Sequence, residues 1–406
     1  MPAASGVFKQ LSYKVEPTYG TAPATTLWTP LRRVTSDIGL VKETYQSNEI
    51  RTDQQMQDMR HGVRRVQGTL AGEVAPGAYA DFMAAALRGD FTAMTALTGL
   101  GLTVGAGSGG TYTLTRGAGD YLTSNIKVGD VVRVTAGTGL NADVLNKNML
   151  VTALTTTIMT VKVLNGSTIT TGSGTSCTIT PQGKKSFTPT TGHTNKSFAL
   201  EHWFADMSPT QSELYLGCQP TGFDLQLPAT GLATVSIGFQ GQSVTTATSR
   251  VPTTFNATNA KGLLAAVNGV LFISGTAVGT VTGAQVQVQS NRTGEPTIGS
   301  NVISTLYPGR VLASGQITAQ FETVTLRDAF INETDLSVVI ALTTDNTATA
   351  DFVTVVMPRI KANGHTLSDG EGGLIATIPF QALLPSTGGS GYANDLTTIA
   401  VTDSAA

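Results

Sequence analysis

Strand and helix patterns recur in this chain as one unit, and that recurrence limits the fold more than any other feature. In VQGTLAGEV, residues 66–74, apolar or glycine positions alternate with Gln67, Thr69, Ala71 and Glu73, the period of a half-buried strand. After Pro76 and Gly77 the spacing becomes helical: Tyr79, Phe82, Met83, Ala86 and Leu87 share one face, and Gly89 supplies the stop. The same order returns 247 positions later, without a gap, in VLASGQITAQFETVTLRDAFINET. Gly68 then corresponds to Gly315, Leu70 to Ile317, Val74 to Phe321, Tyr79 to Leu326 and Asp81 to Asp328. Two like units, each burying the same apolar face, are expected in tandem.

A second likeness sets the distance between them. TVSIGFQ at 234–240 resembles IATIPFQ at 375–381 with an offset of only 141, so the first copy carries about 106 extra residues between its helix and its last strand. An inserted domain is therefore placed at 97–187. Within it YTLTR, IKVGDVVRVTAG, MLVTALTTTIMTVKVL and SCTITP read as short strands between turns and predict a small β-barrel. Gly105–Gly110 fits G-x-G-x-x-G, yet the strand-like TYTLT follows where a nucleotide-binding fingerprint needs a helix, so a flexible linker is expected there. The other boundaries follow: an N-terminal arm at 1–33, a first unit at 34–96 with 188–250, and a second unit at 251–384. From Leu384 a Gly/Ser hinge leads into a strand-like C-terminal arm, 385–406.

With 406 residues, 40% of them hydrophobic, the chain can fill several cores. Its charged fraction, 13%, is about half the usual ~25%. Plentiful Thr, Val, Ser and Gly favour strands and turns, and the expected fold class is mainly β. A formal net charge of -2 provides no basic field for holding a phosphate backbone. Cys177 and Cys218 ask for no disulfide, the opening MPAASGVFKQ lacks the parts of a signal peptide, and no apolar run approaches the ~20 residues of a membrane span. Folding in cytoplasm, without a membrane partner, is expected.

Catalytic and metal patterns are missing in the same way. His61, His193, His202 and His365 are scattered, and no H-E-x-x-H, C-x-x-C or G-x-S-x-G occurs. His202 could meet Glu201 or Asp206, but a strand histidine satisfied by its surroundings is the simpler reading. Asp335, Asp345 and Asp351 lack the spacing of a calcium loop. No enzyme activity, metal or cofactor is expected.

One stretch stands apart. ETYQSNEIRTDQQMQDMRHGVRRV, Glu43 to Val66, concentrates charge without any apolar period and reads as a long polar loop, either solvated or waiting for a partner. This stretch from Lys42, with RHGVRRVQGTLAGEVAPGAYADFMAAALRG, KSFALEHWF and LRDAFINET, resembles the major tail tube proteins of non-contractile tailed bacteriophages, in the right order over nearly the whole chain. KVGDVVRVT resembles a barrel inserted in such virion proteins. The resemblance implies two tandem β-sandwich units, each with a flanking helix, whose sheets join side by side in a ring; stacked rings form the tube that carries DNA from capsid to cell. Six units close such a ring, so three chains are implied, with a homohexamer as the alternative. The resemblance further implies partners at the tail tip, a tape measure and a tail terminator, transient passage of DNA, and residence in the virion tail after assembly in the host cytoplasm. The inserted barrel would lie outside the tube, and the chain without residues 100–185 is expected to assemble. Glu43, Glu49, Arg51, Asp53, Asp58, Arg60, Arg64 and Arg65 become candidates for contacts between rings. The counterpart stretch, Ser290–Leu312, carries far fewer charges and is not expected to be equivalent. A β-rich receptor-binding or adhesin-type tail protein would share the composition but not the repeated unit, and a depolymerase would be expected to show a repeat ladder.

Overall fold

The computed structural model describes residues 4–321, 325–368, 373–385 and 396–406, with Thr325 and Leu326 described in their backbone alone. The pairing of Tyr79 with Leu326 and the Gly/Ser hinge after Pro385 thus fall outside the described residues. The elements in chain order are β1 (Lys9–Val15), β2 (Gly39–Gln46), β3 (Met59–Glu73) and α1 (Ala80–Leu87). Six strands follow: β4 (Leu97–Ala106), β5 (Tyr112–Arg116), β6 (Val131–Thr138), β7 (Met149–Leu154), β8 (Ile158–Val163) and β9 (Gly172–Pro181). Next come β10 (Lys184–Phe187), β11 (Phe198–Phe204), β12 (Gln211–Pro228), β13 (Thr234–Gly241) and β14 (Ser243–Ala247). The last group is β15 (Gly269–Ile273), β16 (Val281–Gln289), β17 (Leu312–Gln320), α2 (Thr325–Ile331), β18 (Leu336–Thr343), β19 (Phe352–Ala362), β20 (Ile375–Ala382) and β21 (Ala400–Asp403). The fold is mainly β.

A long antiparallel sheet runs β2-β3-β13-β12-β16-β17-β20-β19. Behind it stand two shorter layers, β1-β11-β12-β14 and β15-β18-β19-β21. Registers repeat between the halves. Leu70 faces Ile237 and Gly68 faces Phe239, while 247 and 141 positions on Ile317 faces Ile378 and Gly315 faces Phe380. In the shorter layers Leu200 pairs with Tyr215 and Phe198 with Cys218, one residue having slipped; Val338 with Met357 and Leu336 with Ile360 show the same slip. The glycines are dictated by contact: a Cβ on Gly315 would lie 2.5 Å from the Phe380 ring. α1 ends one residue earlier than its sequence suggests, because Arg88 takes the left-handed cap (φ 59°). Gly89 serves a different need, since a Cβ there would sit 2.2 Å from the Phe187 carbonyl oxygen.

Alternation then assigns the layers. One face of the long sheet, with Leu70, Ile237, Leu225, Val286, Ile317 and Phe380, packs on α1 and on alternate residues of the shorter layers, such as Leu200, Val338 and Val355, in one apolar core. The intervening residues of β18 and β19, Val339, Ala341 and Val356, look the other way and join Phe272 and Ala400 in the core of the barrel. The barrel closes in the order β7-β8-β5-β4-β9-β6. In its first strand, β4, Leu100, Leu102 and Val104 alternate inward and Gly105 and Ala106 close the strand; the rest of Gly105–Gly110, expected to be a linker, is the connection to β5, with residues 108–110 in a tight turn. Removing residues 100–185 would uncover the apolar backs of β18 and β19 and take Lys184 and Lys185, half of the strand β10 that pairs with β21, which argues against the expectation that the rest tolerates the loss.

Both arms are integrated. β1 is a strand of the first shorter layer, and β21 lies between β19 and β10. The KVGD turn locks the barrel onto the same place. Asp130 accepts hydrogen bonds from the Lys127 N–H (2.7 Å), Lys185 Nζ (3.1 Å) and Thr402 Oγ1 (3.3 Å). Gly129 sits at φ 89°, and a Cβ there would approach Val356 Cγ2 to 2.1 Å.

Gly129→Ala should therefore cost about 2–3 kcal/mol, the sum of a left-handed backbone penalty and local overpacking, read as a lowered urea midpoint. A second expectation concerns the carboxyl of Asp403, which accepts the Gly77 N–H (2.8 Å) and the Ala405 N–H (2.8 Å). Burial, opposed by those hydrogen bonds, pushes it up to about 6 from its ordinary 3.8. A folded value above the unfolded one means that the native state holds the extra proton, so this group's contribution is lost as pH rises from about 4 through about 6. Asp403→Asn should flatten that part of a stability-against-pH profile; an unchanged slope would refute the assignment.

Candidate assembly surfaces

The charged stretch is less of a loop than its composition suggests. Strands β2 and β3 pair from Gly39↔Gln67 to Gln46↔Met59, so Glu43, Arg60, Arg64 and Arg65 stand on a hairpin, and only Glu49, Arg51, Asp53 and Asp58 lie in its connection. The pairing strand is long enough to overrule the absent apolar period, because its far half, Val66 to Glu73, is fixed in the core. Three of the four arginines find partners inside the hairpin. Arg65 NH1 lies 3.2 Å from Glu43 Oε1, Arg60 Nε 2.9 Å from Asp58 Oδ2, and Arg51 grips Asp53 through Nε (3.0 Å) and NH2 (2.9 Å). The Arg51 guanidinium holds the Asp53 carboxyl below its usual range. Arg64 is tied by its backbone, whose N–H donates to the Asn301 carbonyl at 2.9 Å. Glu49 is exposed at the tip, beside Ile50, whose surface is entirely open (102%).

The counterpart connection, 290–311, behaves differently. It folds back over the first half, burying Ile303 and Leu306, and anchors itself through Arg292. That guanidinium donates to the carbonyls of Pro220 (3.0 Å) and Ala85 (3.2 Å) and to the Gln219 Oε1 (2.7 Å). Burial, with Arg88 nearby, lowers its pKa to about 10.

A third surface was not anticipated. The face of the long sheet turned away from the core carries amides and hydroxyls in successive strands: Ser236 and Gln240, Gln285 and Gln287, Ser314 and Gln316, Thr377 and Gln381. Its carboxylate at Asp224 accepts from Gln285 Nε2 at 2.8 and 3.0 Å. The alternation AQVQVQ in β16 was the available signal.

The sheet also has two outer edges. Within the chain, β12 and β16 join the halves through seven residue pairs, Gly222↔Gln289 to Pro228↔Gly283. By the registers above, β12 corresponds within the described residues to the segment 353–368 and β16 to the segment from Val34 to Val41. Those are the strands at the two ends of the long sheet. Leu225 is 1% exposed at the inner junction, whereas its counterpart Leu367 is 43% exposed at the edge.

The remaining candidates are structural. His202 is buried, with Nε2 3.1 Å from Ser36 Oγ, and burial drops its pKa to about 3, leaving the ring neutral. Glu201 turns instead to Ser212 Oγ (2.9 Å), Arg250 Nε (3.2 Å) and the Val251 N–H (2.8 Å). Asp335 pairs with Arg359 at 2.8 Å and Asp351 with Lys261 at 2.8 Å. Burial raises both cysteine thiols. Among the described residues no group of three or more His, Cys, Asp or Glu could hold a metal ion, and no helix is long and apolar enough to cross a membrane.

The phage tail tube protein family model matches residues 9–382. The chain belongs to that family. No curated protein matches it. As a tail tube protein it is a structural component of the bacteriophage virion tail, and its family membership carries self-assembly into a tube with other tail proteins.

Proposed function

We propose that three copies of this tail tube protein close into a ring of six sandwich units, two from each chain, at 34–96 with 188–250 and at 251–384. Rings stack into the tube, whose lumen is lined by the Gln-rich face of the long sheet. The reading rests on the β12·β16 junction: one edge-to-edge contact between like units already exists inside the chain, and the two ends of the sheet are the same two edges, without a partner strand among the described residues. Exposed sheet edges invite pairing, and a heterologous contact that repeats with rotation closes a ring. Transferring the register places His365 opposite Leu40 and Leu367 opposite Ile38 of the next copy. Gly364 supports this transfer. At the corresponding Gly222 a Cβ would meet the Val288 carbonyl oxygen at 2.0 Å across the junction, whereas within its own chain Gly364 has nothing nearer than 3.5 Å.

A neutral polar lumen suits DNA conduction during ejection. Each phosphate neutralised by a fixed cation would add salt-sensitive affinity that transport must break, and amides hydrate the channel without doing so. The barrel, on the far side of the shorter layer, then lies outside the tube. Assembly in the host cytoplasm, with tail tip, tape measure and terminator proteins at the ends, belongs to the same proposal.

Ile38→Cys combined with Leu367→Cys tests ring closure. Oxidised rings should run on a non-reducing gel as a covalent series ending at three chains of 42.0 kDa each. A series ending at six would replace the trimer by the hexamer, and no cross-link in purified rings would refute the register; free fibres without rings would favour the adhesin reading. For stacking, the projecting hairpin with Glu43, Glu49, Arg51, Asp53, Asp58, Arg60, Arg64 and Arg65 is the proposed contact. Arg60→Glu, Arg64→Glu and Arg65→Glu together should give rings that fail to stack, since like charges facing each other at an interface cost several kcal/mol. Tubes of parental salt stability would end this role, and failure of the rings themselves would move the contact into the ring, where the 290–311 connection already sits against Arg64.

A further inference from the structure

The two long connections of the sheet share little in sequence, yet each presents an isoleucine to solvent. Ile50 at the tip of the β2–β3 hairpin and Ile298 in the 290–311 connection are fully open, at 102% and 109%. They stand 248 positions apart, one more than the repeat. Both lie at one end of the long sheet: Ile50 falls between β2 and β3, and the Asn301 carbonyl accepts the Arg64 N–H in the hairpin half of β3. Around the two isoleucines the chemistry differs. Residues 47–58 set Glu49, Asp53 and Asp58 against Arg51 alone. With Asp53 bound to Arg51 and Asp58 to Arg60, Glu49 is left without an ion pair among the described residues. Pro296 to Ser300 carry no charge.

Two cavities lie at the opposite end of the same strands. One, of about 980 Å³, sits beside β1 and the segment leading into β2; the other, of about 380 Å³, is in the second unit. Val34, which lines the first, donates its N–H to the Ala71 carbonyl (2.8 Å), and Gly283, which lines the second, pairs with Thr318, the counterpart of Ala71. From Met59 to Ala71 the strand runs about 40 Å. The cavities are the same site on the two units. Tyr13 pairs with Leu200 as Ile273 pairs with Val338, and the Leu31 N–H bonds the Leu11 carbonyl as the Val278 N–H bonds that of Leu271, both at 3.0 Å.

Their linings differ as the tips do. Among the described residues the second is lined by aliphatic side chains and glycine alone, Val267, Val270 and Val278 with them. Where it has Gly269, the first has Lys9, and it adds Arg33 and Arg250; no Asp or Glu lines it among the described residues. Arg250 is bound to Glu201. Lys9 and Arg33 have no ion pair among the described residues and donate to backbone carbonyls: Lys9 Nζ to Ser36 (3.0 Å), Arg33 NH2 to Gly6 (2.9 Å) and Lys9 (2.6 Å).

We infer that the cavities are docking sites for a second copy of the chain in the next ring, whose hairpin seats Ile50 among Val7, Leu31 and Val34 with Glu49 towards Lys9 and Arg33, and whose second connection seats Ile298 among Val267, Val270 and Val278. Stacking identical rings brings one end of each against the opposite end of the next, so tips meet cavities. Like then stands over like. Turning a ring by one unit would set Glu49 over an aliphatic cavity and Lys9 and Arg33 under an uncharged tip, which buries charge at both places without a partner. Matched chemistry at the two sites therefore fixes how each ring is turned on the one below, a choice that a ring of six like units would leave open.

The inference rests on the hairpin as the stacking contact, and the test separates the two. Tubes of the full chain are oxidised as Ile50→Cys/Val7→Cys and as Ile50→Cys/Val267→Cys. Within a chain each pair lies at opposite ends of the sheet, so a disulfide joins rings. The first form should give a covalent series longer than three chains on a non-reducing gel, and the second should run as single chains. Linking in the second form, with or without the first, would overturn the matching. Tubes in which neither form links would overturn the docking and leave the hairpin its stacking role, whereas absence of tubes from the unmodified chain would overturn both. Should a cysteine form not polymerise, sedimentation of Glu49→Lys, of Lys9→Glu/Arg33→Glu and of the three changes together gives the same reading. Glu49→Lys and the Lys9/Arg33 pair should each pellet at least about fivefold less tube while native mass spectrometry still finds rings, and the combination should recover the parental amount. Parental pelleting of either, losses that the combination does not relieve, or rings lost together with the tubes would overturn the docking.

Discussion

The antiparallel ladder between β12 and β16 is the contact on which the rest of the molecule depends. Seven residue pairs turn two like units into one sheet, and they do so with one glycine, Gly222, where the backbones come too close for any side chain. Because β12 is eighteen residues long, its first part belongs to the shorter layer and its last part to the long sheet. A single strand therefore fixes the spacing of both layers and the position of the neighbouring unit. Arg292 reinforces the same joint from the side, tying the second half to α1 and to the Pro220 carbonyl. Such an arrangement leaves two sheet edges whose backbone groups need partners, and water is the weaker long-term solution for strands that present apolar residues such as Leu367.

Polar burial is arranged around attachment. Asp130 joins the barrel turn to β10 and β21, Glu201 joins β11 to the connection at 250–251, and Asp403 joins the C-terminal strand to the turn before α1. In each case a carboxylate is enclosed by donors from elements distant in sequence, which ties them in one geometry and makes the removal of a partner costly. The barrel is accordingly an integral layer. Its core runs without interruption into the backs of β18 and β19, so the second unit is apolar on both faces where the first is covered by Trp28 and its neighbours.

Much of this was legible from alternation and offset. The repeat at 247 and 141 positions corresponds to the pairing registers Leu70↔Ile237 and Ile317↔Ile378, because a strand whose one face is buried cannot slip without exposing it. Where local composition alone decided, the reading was only partly right. Gly105–Gly110 suggested a linker and its later residues do connect two strands, but Gly105 itself belongs to β4, whose Leu100, Leu102 and Val104 keep the period of a strand. The charged hairpin failed for the converse reason: its strand character is imposed by β3 continuing into the core, which no window confined to residues 43–65 can detect. Arg51, Arg60 and Arg65, read as contacts between rings, have partners within the chain at Asp53, Asp58 and Glu43 of the same hairpin. The two sheet edges were invisible, since they depend on strands brought together from opposite ends of the sequence.

The glutamine face follows from the same alternation, with a different selective pressure on each side. A strand in this sheet needs an apolar residue inward at every second position, and the outward position is free to be anything that tolerates water. Lysine or glutamate there would solvate the sheet equally well. Clustered across neighbouring strands at about 4.8 Å spacing, like charges would repel, and cations would hold a phosphate backbone. Amides avoid both costs, and they can also screen a charge that remains, as Gln285 does for Asp224. The formal net charge of -2 conceals this division: charge is dense in the hairpin, where a contact between rings is proposed, and sparse on the glutamine face, proposed to line the lumen. If that face lines the lumen as proposed, this distribution of charge lets copies hold one another while leaving DNA unbound.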